Sequence, residues 1–279
     1  MRALIRVTAW ERVSLWRRLL GAFLRVGILI VFVTMAFSFL GPPIGIFLTA
    51  RMEANKRPAV KLAPIALADH SVSNSPGRTL SYFGYEFAVP WNATFDEKVH
   101  DKNALVQLQF ESGQNLIFAV PGNQAGLLTE IVEDPSLKMG NLRLAFGDLM
   151  KRSAYEQYEV LLNTTPQSIR AFGPRAEATR GVVLLTIKAI AFGPGLESGA
   201  FRFELPDKRG FQIGDPQKSK RVDLEVFDSS GHHVEILCSS TNPGIGLSQS
   251  ELNLILTSLH AVANAPQLAA LPKVRSESW

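Results

Sequence analysis

Between Arg25 and Arg51 the chain carries no ionisable side chain: the 25 residues from Val26 to Ala50, VGILIVFVTMAFSFLGPPIGIFLTA, are apolar or neutral throughout. At about 1.5 Å of rise per residue, a helix of this length covers the roughly 30 Å hydrocarbon core of a bilayer. A chain with such a segment has to fold on either side of it, and one transmembrane helix is the expectation. Pro42 and Pro43 lack backbone donors and kink or end that helix. Two frames follow: a kinked span over 26–50, or a span from Leu19 to Gly41 in which Arg25 snorkels to the inner headgroups and the prolines mark the exit. We favour the second. A signal peptide shares the basic start and the apolar stretch, but the run is long, and Leu48-Thr49-Ala50 is a poor small-x-small cleavage site. An uncleaved anchor region over 19–50 is therefore expected.

Charge is distributed unevenly about this segment. The first 50 residues hold six arginines against Glu11, a net +5, which exceeds the +4 of the whole chain and leaves everything from Arg51 onward at −1. A near-neutral body has no phosphate-binding footprint, so nucleic acid is excluded as a partner. The excess of arginine before the span favours a cytoplasmic amino terminus and an extracytoplasmic main domain, in periplasm or cell exterior. Within the basic cytoplasmic segment 1–18, Trp10, Val13 and Trp16 fall at helical spacing among arginines, which suits the inner lipid interface.

After the anchor, 51–79 has three prolines with alanine, serine and asparagine and shows neither helical periodicity nor alternation; it is expected to be a flexible linker. The folded domain is expected over 80–263, with a loose tail over 264–279. In LSYFGYEFAVPW, Tyr85, Phe87 and Val89 share one face of an extended chain and Pro90 stops the ladder, giving an edge or first strand whose aromatics pack in a core. LVQLQF and NLIFAV flank the turn at Gly113 as a hairpin, and RVDLEVFD and HHVEILCSS flank Asp228-Ser229-Ser230-Gly231 as a second. GAFRFELP alternates cleanly as a strand, and the apolar, β-branched GVVLLTIKAIAF, Gly181 to Phe192, is expected as another. A helical region over 141–163 places Leu149, Tyr155, Tyr158 and Leu162 on one stripe. Ser248 and Glu251 form a capping-box pattern before a closing helix with Leu252, Ile255, Leu256 and Leu259 inward. The fold class is α+β, with helices packed on a mostly antiparallel sheet, preceded by one amino-terminal transmembrane helix.

The opening FGYEFAVPW, the hairpin LVQLQFESGQNLIFAV and the final LNLILTSL resemble the PsbP-like fold over about 80–263. That family includes an accessory subunit of photosystem II, a nuclear factor that binds a small GTPase, and exported bacterial proteins. The resemblance implies binding or assembly more than catalysis and identifies no site residue. The anchor and the stretch 141–175 depart from the compact family pattern.

Motifs that carry chemistry are missing: no G-x-G-x-x-G after a strand, Walker loop, H-E-x-x-H, C-x-x-C or G-x-S-x-G occurs. His232 and Cys238 share strand parity, but six extended residues put them about 20 Å apart, too far for one metal ion. His232-His233 is expected as a polar turn pair, His70 as a solvated loop residue, and Cys238 as a half-buried thiol. No catalytic, cofactor-binding or metal residue is assigned, no carboxylate cluster is evident, and an enzyme is less favoured than a non-catalytic accessory or protein-binding module. A small-molecule or lipid-binding domain is the alternative, and it requires an apolar cavity under the aromatic opening strand.

Overall fold

Alternation of inward and outward side chains is realised in two runs of consecutive strands that meet in one sheet. The computed structural model describes residues 45, 48, 52, 58–75, 77–91, 93–121, 146–169, 175–192, 198–241 and 246–262. Its strands are β1 (Ile65–Ala66), β2 (Arg78–Tyr82), β3 (Tyr85–Val89), β4 (Thr94–His100), β5 (Leu105–Phe110), β6 (Gln114–Ala119), β7 (Ala200–Glu204), β8 (Lys208–Ile213), β9 (Arg221–Asp228), β10 (His233–Ser240) and β11 (His260–Ala261). Its α-helices are α1 (Ala154–Asn163), α2 (Arg175–Ala191) and α3 (Gln249–Ser258). Eight strands form the large sheet in the order β1-β7-β8-β9-β10-β6-β5-β4, antiparallel except where β1 joins β7, and β11-β3-β2 form a small antiparallel sheet. The chain is thus α+β with a mostly antiparallel sheet. Among the described residues no helix is long and apolar enough to cross a membrane. The span expected over 19–50 lies almost wholly outside the described residues, as do the segment 1–18 and the tail 264–279.

One face of the large sheet carries Val106, Leu108, Phe110, Leu116, Phe118, Val222, Leu224, Val226, Val234, Ile236 and Cys238, and it is covered by the small sheet and α3. The aromatics of β3 close this layer. Phe87 stacks on Phe118 at 4.8 Å between centroids, Tyr85 meets Phe118 at 6.1 Å, and Trp91 packs on Phe110 at 4.9 Å. Their core role was expected, but β3 is the middle strand of the small sheet, paired with β2 and β11, rather than an edge. At the head of α3, the Ser248 hydroxyl accepts from the Glu251 amide and the Glu251 carboxylate accepts from the Ser248 amide, as the capping pattern requires.

The opposite face is covered by α1 and α2 over β7–β9. Tyr155 stacks on Phe211 at 5.2 Å and meets Phe227 edge-on, while Arg209 lies 3.9 Å from the centre of the Tyr155 ring. Leu149, Tyr155, Tyr158 and Leu162 are all buried here, the stripe expected from their spacing. Gly181 to Phe192, expected as a strand, is instead helical up to Ala191 and makes up most of α2. The helix is buried on two sides: Leu184 and Ile187 face the sheet layer, whereas Ala178 and Leu185 face Val60 and Ile169. Burial on both sides erases the amphipathic stripe, which left the β-branched run without helical periodicity.

Residues 58–75 and 77–79, assigned by sequence to the flexible linker, are bound to the body. Val60 is buried, Leu67 donates its amide to the Arg202 carbonyl at 2.9 Å, Asn253 donates to the carbonyls of Asp69 and Ser71, and Ser73 donates to Ser250. Backbone pairing and single anchor side chains, rather than hydrophobic periodicity, hold this stretch. Its main fastening is Lys188, fully buried on α2, whose ammonium donates to the carbonyls of Leu62 at 2.6 Å, Leu162 at 2.6 Å and Thr164 at 3.0 Å. Three donors meet three acceptors, two of which are orphan carbonyls at the end of α1. Burial pushes this amine down to about 8, so it remains charged at neutral pH. Lys188→Met keeps the stem but strands three carbonyls; since each unsatisfied group costs about 1–3 kcal/mol, urea unfolding is expected to show a loss of roughly 3 kcal/mol or more. An unchanged midpoint would mean that the carbonyls find other donors.

Candidate functional site

Tight turns place chemistry at the β9–β10 hairpin. Its register sets Glu225 opposite Glu235, His233 opposite Phe227 and Asp223 opposite Leu237. Because side chains alternate, Asp223, Glu225 and Phe227 share the face of His233 and Glu235, away from the layer that holds Cys238. No carboxylate cluster was evident in the sequence; the hairpin register gathers three. Pairing across a hairpin depends on the turn, and once 229–232 is taken as the connection, residues whose numbers sum to 460 face each other. That was the signal by which the cluster was legible.

Two of the three carboxylates are held by a partner side chain. Arg221 grips Asp223 with two bonds, Nε to Oδ1 at 2.9 Å and Nη2 to Oδ2 at 3.1 Å. Burial raises the Asp223 carboxyl and the guanidinium works against it, with the net shift upward. Glu225, almost fully buried, meets His233 Nε2 at 2.6 Å. The His233 ring lies flat on Phe227, 4.5 Å between centroids and 6° between planes, with Tyr158 tilted against it at 5.2 Å. The expectation of a polar turn pair therefore fits His232 and fails for His233, whose ring is hydrogen-bonded to Glu225 on the sheet. Glu235 is pushed up to about 7, first by burial and then by the Glu225 carboxylate opposite it. It gains or loses its proton near neutrality.

The turn itself gathers aspartate, serine and histidine. Asp228 Oδ1 accepts from the Ser230 hydroxyl at 2.8 Å and from the Ser230 and His232 amides at 2.9 Å each. His232 Nδ1 lies 3.1 Å from Asp228 Oδ2 and 3.0 Å from Ser230 Oγ. A hydrolase triad needs the imidazole to bridge, one ring nitrogen to the nucleophile and the other to the carboxylate. Here both contacts reach the same nitrogen, so the three residues lock the turn and relay no proton. Burial works upward on Asp228, but the hydrogen bonds from Ser230 and His232 outweigh it and hold the carboxyl below its usual range.

Cys238, expected to be half-buried, is fully buried in the other face between Leu116 and Val222, and burial pushes its thiol well up. Among the described residues no group of three or more His, Cys, Asp or Glu is arranged to hold a metal ion. His70 lies in an exposed loop.

Two clefts open elsewhere. One, of about 480 Å³, lies between α1 and α2 and is lined by Asp148, Arg152, Ser168, Glu177 and Arg180 over a floor that includes Leu184. Arg180 Nη1 bonds both carboxylate oxygens of Asp148, at 3.0 and 3.1 Å. The other, of about 270 Å³, lies over β4–β6 and is lined by Asp96, Lys98, Gln107, Gln109 and Asn115. Neither is lined by a member of the β9–β10 cluster. No protein-family model, no curated protein and no solved structure matches the chain.

The raised Glu235 has a consequence for stability. Its folded value, about 7, exceeds the ordinary 4.5, so the folded protein binds more protons between these values and its stability falls as pH rises through that window. Glu235→Gln removes the ionisation. At pH 8 the variant is expected to be more stable than the parent by up to about 3 kcal/mol, the equivalent of the shift, and at pH 4 the two should nearly coincide. Thermal unfolding across the pH range measures this; a constant difference would show that Glu235 does not titrate near 7.

Proposed function

We propose that this chain is a single-pass membrane protein whose extracytoplasmic α+β domain is a non-catalytic accessory module that binds another protein. The observation that carries the reading is the cleft between α1 and α2. Its size suits a ligand, but its walls alternate charge, with Arg152 and Arg180 set among Asp148 and Glu177. Such a surface matches polar, sequence-specific protein contacts better than an apolar small molecule or lipid. The rival lipid-binding reading needed a hollow beneath the opening strand, and that space is filled by Phe87, Tyr85 and Phe118 in ring contact.

The anchor rests on the 25 uncharged residues and the arginines that precede them. The PsbP-like resemblance of the opening strand, the first hairpin and the final helix adds the same expectation of assembly work, and an antiparallel sheet covered by helices accords with it.

Mild crosslinking in native membranes tests the reading, with the full chain compared with a form that lacks 58–263 and with the double variant Arg152→Glu/Glu177→Lys. Proteins captured stoichiometrically by the full chain alone, and reduced about tenfold or more by the charge reversal, a change of roughly 1.4 kcal/mol, support a partner in the cleft. Equal capture by all three forms sinks the proposal.

A further inference from the structure

The uncharged segment ends at Ala50, and the first element fastened to the body begins at Pro58. Seven residues separate them. Even fully extended at about 3.6 Å each they reach only about 25 Å, so the element that starts at Pro58 stays close to the end of the apolar segment. That element cannot swing free of the domain: Val60 is buried, Lys188 holds the Leu62 carbonyl at 2.6 Å, and β1 pairs with β7 through Ile65↔Phe201. The edge of the large sheet at β1 is consequently the part of the domain tethered closest to the apolar segment.

This edge presents two aliphatic side chains outward within four residues. Leu62 is 38% exposed and Ile65 64% exposed, and both follow exposed Lys61. The sequence from 51 to 62 has four basic residues, Arg51, Lys56, Arg57 and Lys61, against Glu53, whereas the body from Arg51 onward is net −1. Exposed aliphatic side chains interleaved with lysine and arginine are the composition of a segment that lies in the headgroup region of an anionic leaflet. The opposite edge differs in charge: β4 carries Asp96 and Glu97 with Lys98 beside one exposed aliphatic side chain, Val99 at 45%.

Resting on the anchored reading above, we propose that the β1 edge, with Leu62 and Ile65 at its surface, lies on the bilayer, so that the domain is held against the anionic headgroups rather than standing off on a flexible stalk. The occupant of this apolar edge is lipid. With the apolar stretch 42–50 kept at the membrane as part of the anchor region 19–50, the linker expected from sequence shrinks to the seven residues 51–57, and the β4 edge, seven strand spacings away and therefore roughly 30 Å distant, points toward water.

Cys238 is buried, so single exposed cysteines can be labelled in the otherwise unaltered chain. Ile65→Cys and Val99→Cys, the latter on β4, each receive a nitroxide in full-length protein reconstituted into vesicles of three parts phosphatidylcholine to one part phosphatidylglycerol. Collision with lipid-soluble oxygen relative to a water-soluble nickel chelate is expected to be several-fold higher for the label at residue 65 than for that at 99. Equal, water-like ratios at the two sites, in protein that resists carbonate extraction, overturn the proposal and leave the anchor standing. Spin–spin broadening between labels at residue 65 identifies a second copy as the occupant and overturns it too. Release of the protein by carbonate overturns the anchor and this inference together.

Discussion

The pairing of β6 with β10 is the contact on which the rest of the molecule depends. It joins Gln114–Ala119 to 235–240, residues far apart in sequence, and makes one eight-stranded sheet from a three-stranded meander and a four-stranded one that carries β1 on its far edge. With it, Leu116 and Phe118 continue the apolar surface of Val234, Ile236 and Cys238, and β3 and α3 have a single floor to cover. The same pairing puts β10 in the interior of the sheet, while the β9–β10 register sets Glu225 opposite Glu235. Close approach is built in on the other side of β9 as well: a Cβ on Gly210 would come within 2.0 Å of the Glu225 carbonyl oxygen and 2.7 Å of the Phe203 ring, so β8 seats against β9 only with glycine at that position.

Elements with one buried face were legible in the sequence. β3, β5, β6, β7, β9 and β10 alternate, and their turns carry Gly113 or Asp228-Ser229-Ser230-Gly231, so pattern and turn chemistry agree. α3 declared itself by its capping box, and α1 has the same device in Ser153 and Glu156, unremarked because Gly147 and the turn that follows blur the start of the helix. Elements held by their surroundings were not legible. β1 is two residues long and exists because the β7 edge needs partners; β4 exposes most of its side chains and has no apolar face to announce it. α2 was mistaken for a strand because β-branched residues fill any buried site, and only its length argued for helix.

The ionisable cluster shows the same division at the level of single residues. That Asp223 and Glu225 share a strand face is visible from parity alone; that Glu225 pairs with His233 and shares its neighbourhood with Glu235 requires the register, and that Asp223 and Glu225 are buried requires the tertiary packing. Lys188 was invisible as a structural residue, since nothing local distinguishes a lysine that bonds three carbonyls from one that faces solvent. Its partners come from residues 24, 26 and 126 positions away. Buried polar anchors of this kind are specified by three-dimensional demand for a donor, and sequence patterns carry little of that information.

The long reach of the β6–β10 pairing also bears on how the chain is made. About 115 residues must be synthesised between the end of β6 and the start of its partner, and at roughly 5–20 residues per second this takes on the order of 6–25 seconds. For that interval the β4–β6 meander has emerged with Leu116 and Phe118 unroofed and one strand edge offering a row of unsatisfied amides and carbonyls. Such an edge pairs with whatever extended chain it meets. The biogenesis of this protein therefore has a vulnerable period set by topology, which ends when β10 arrives to pair the open edge of β6.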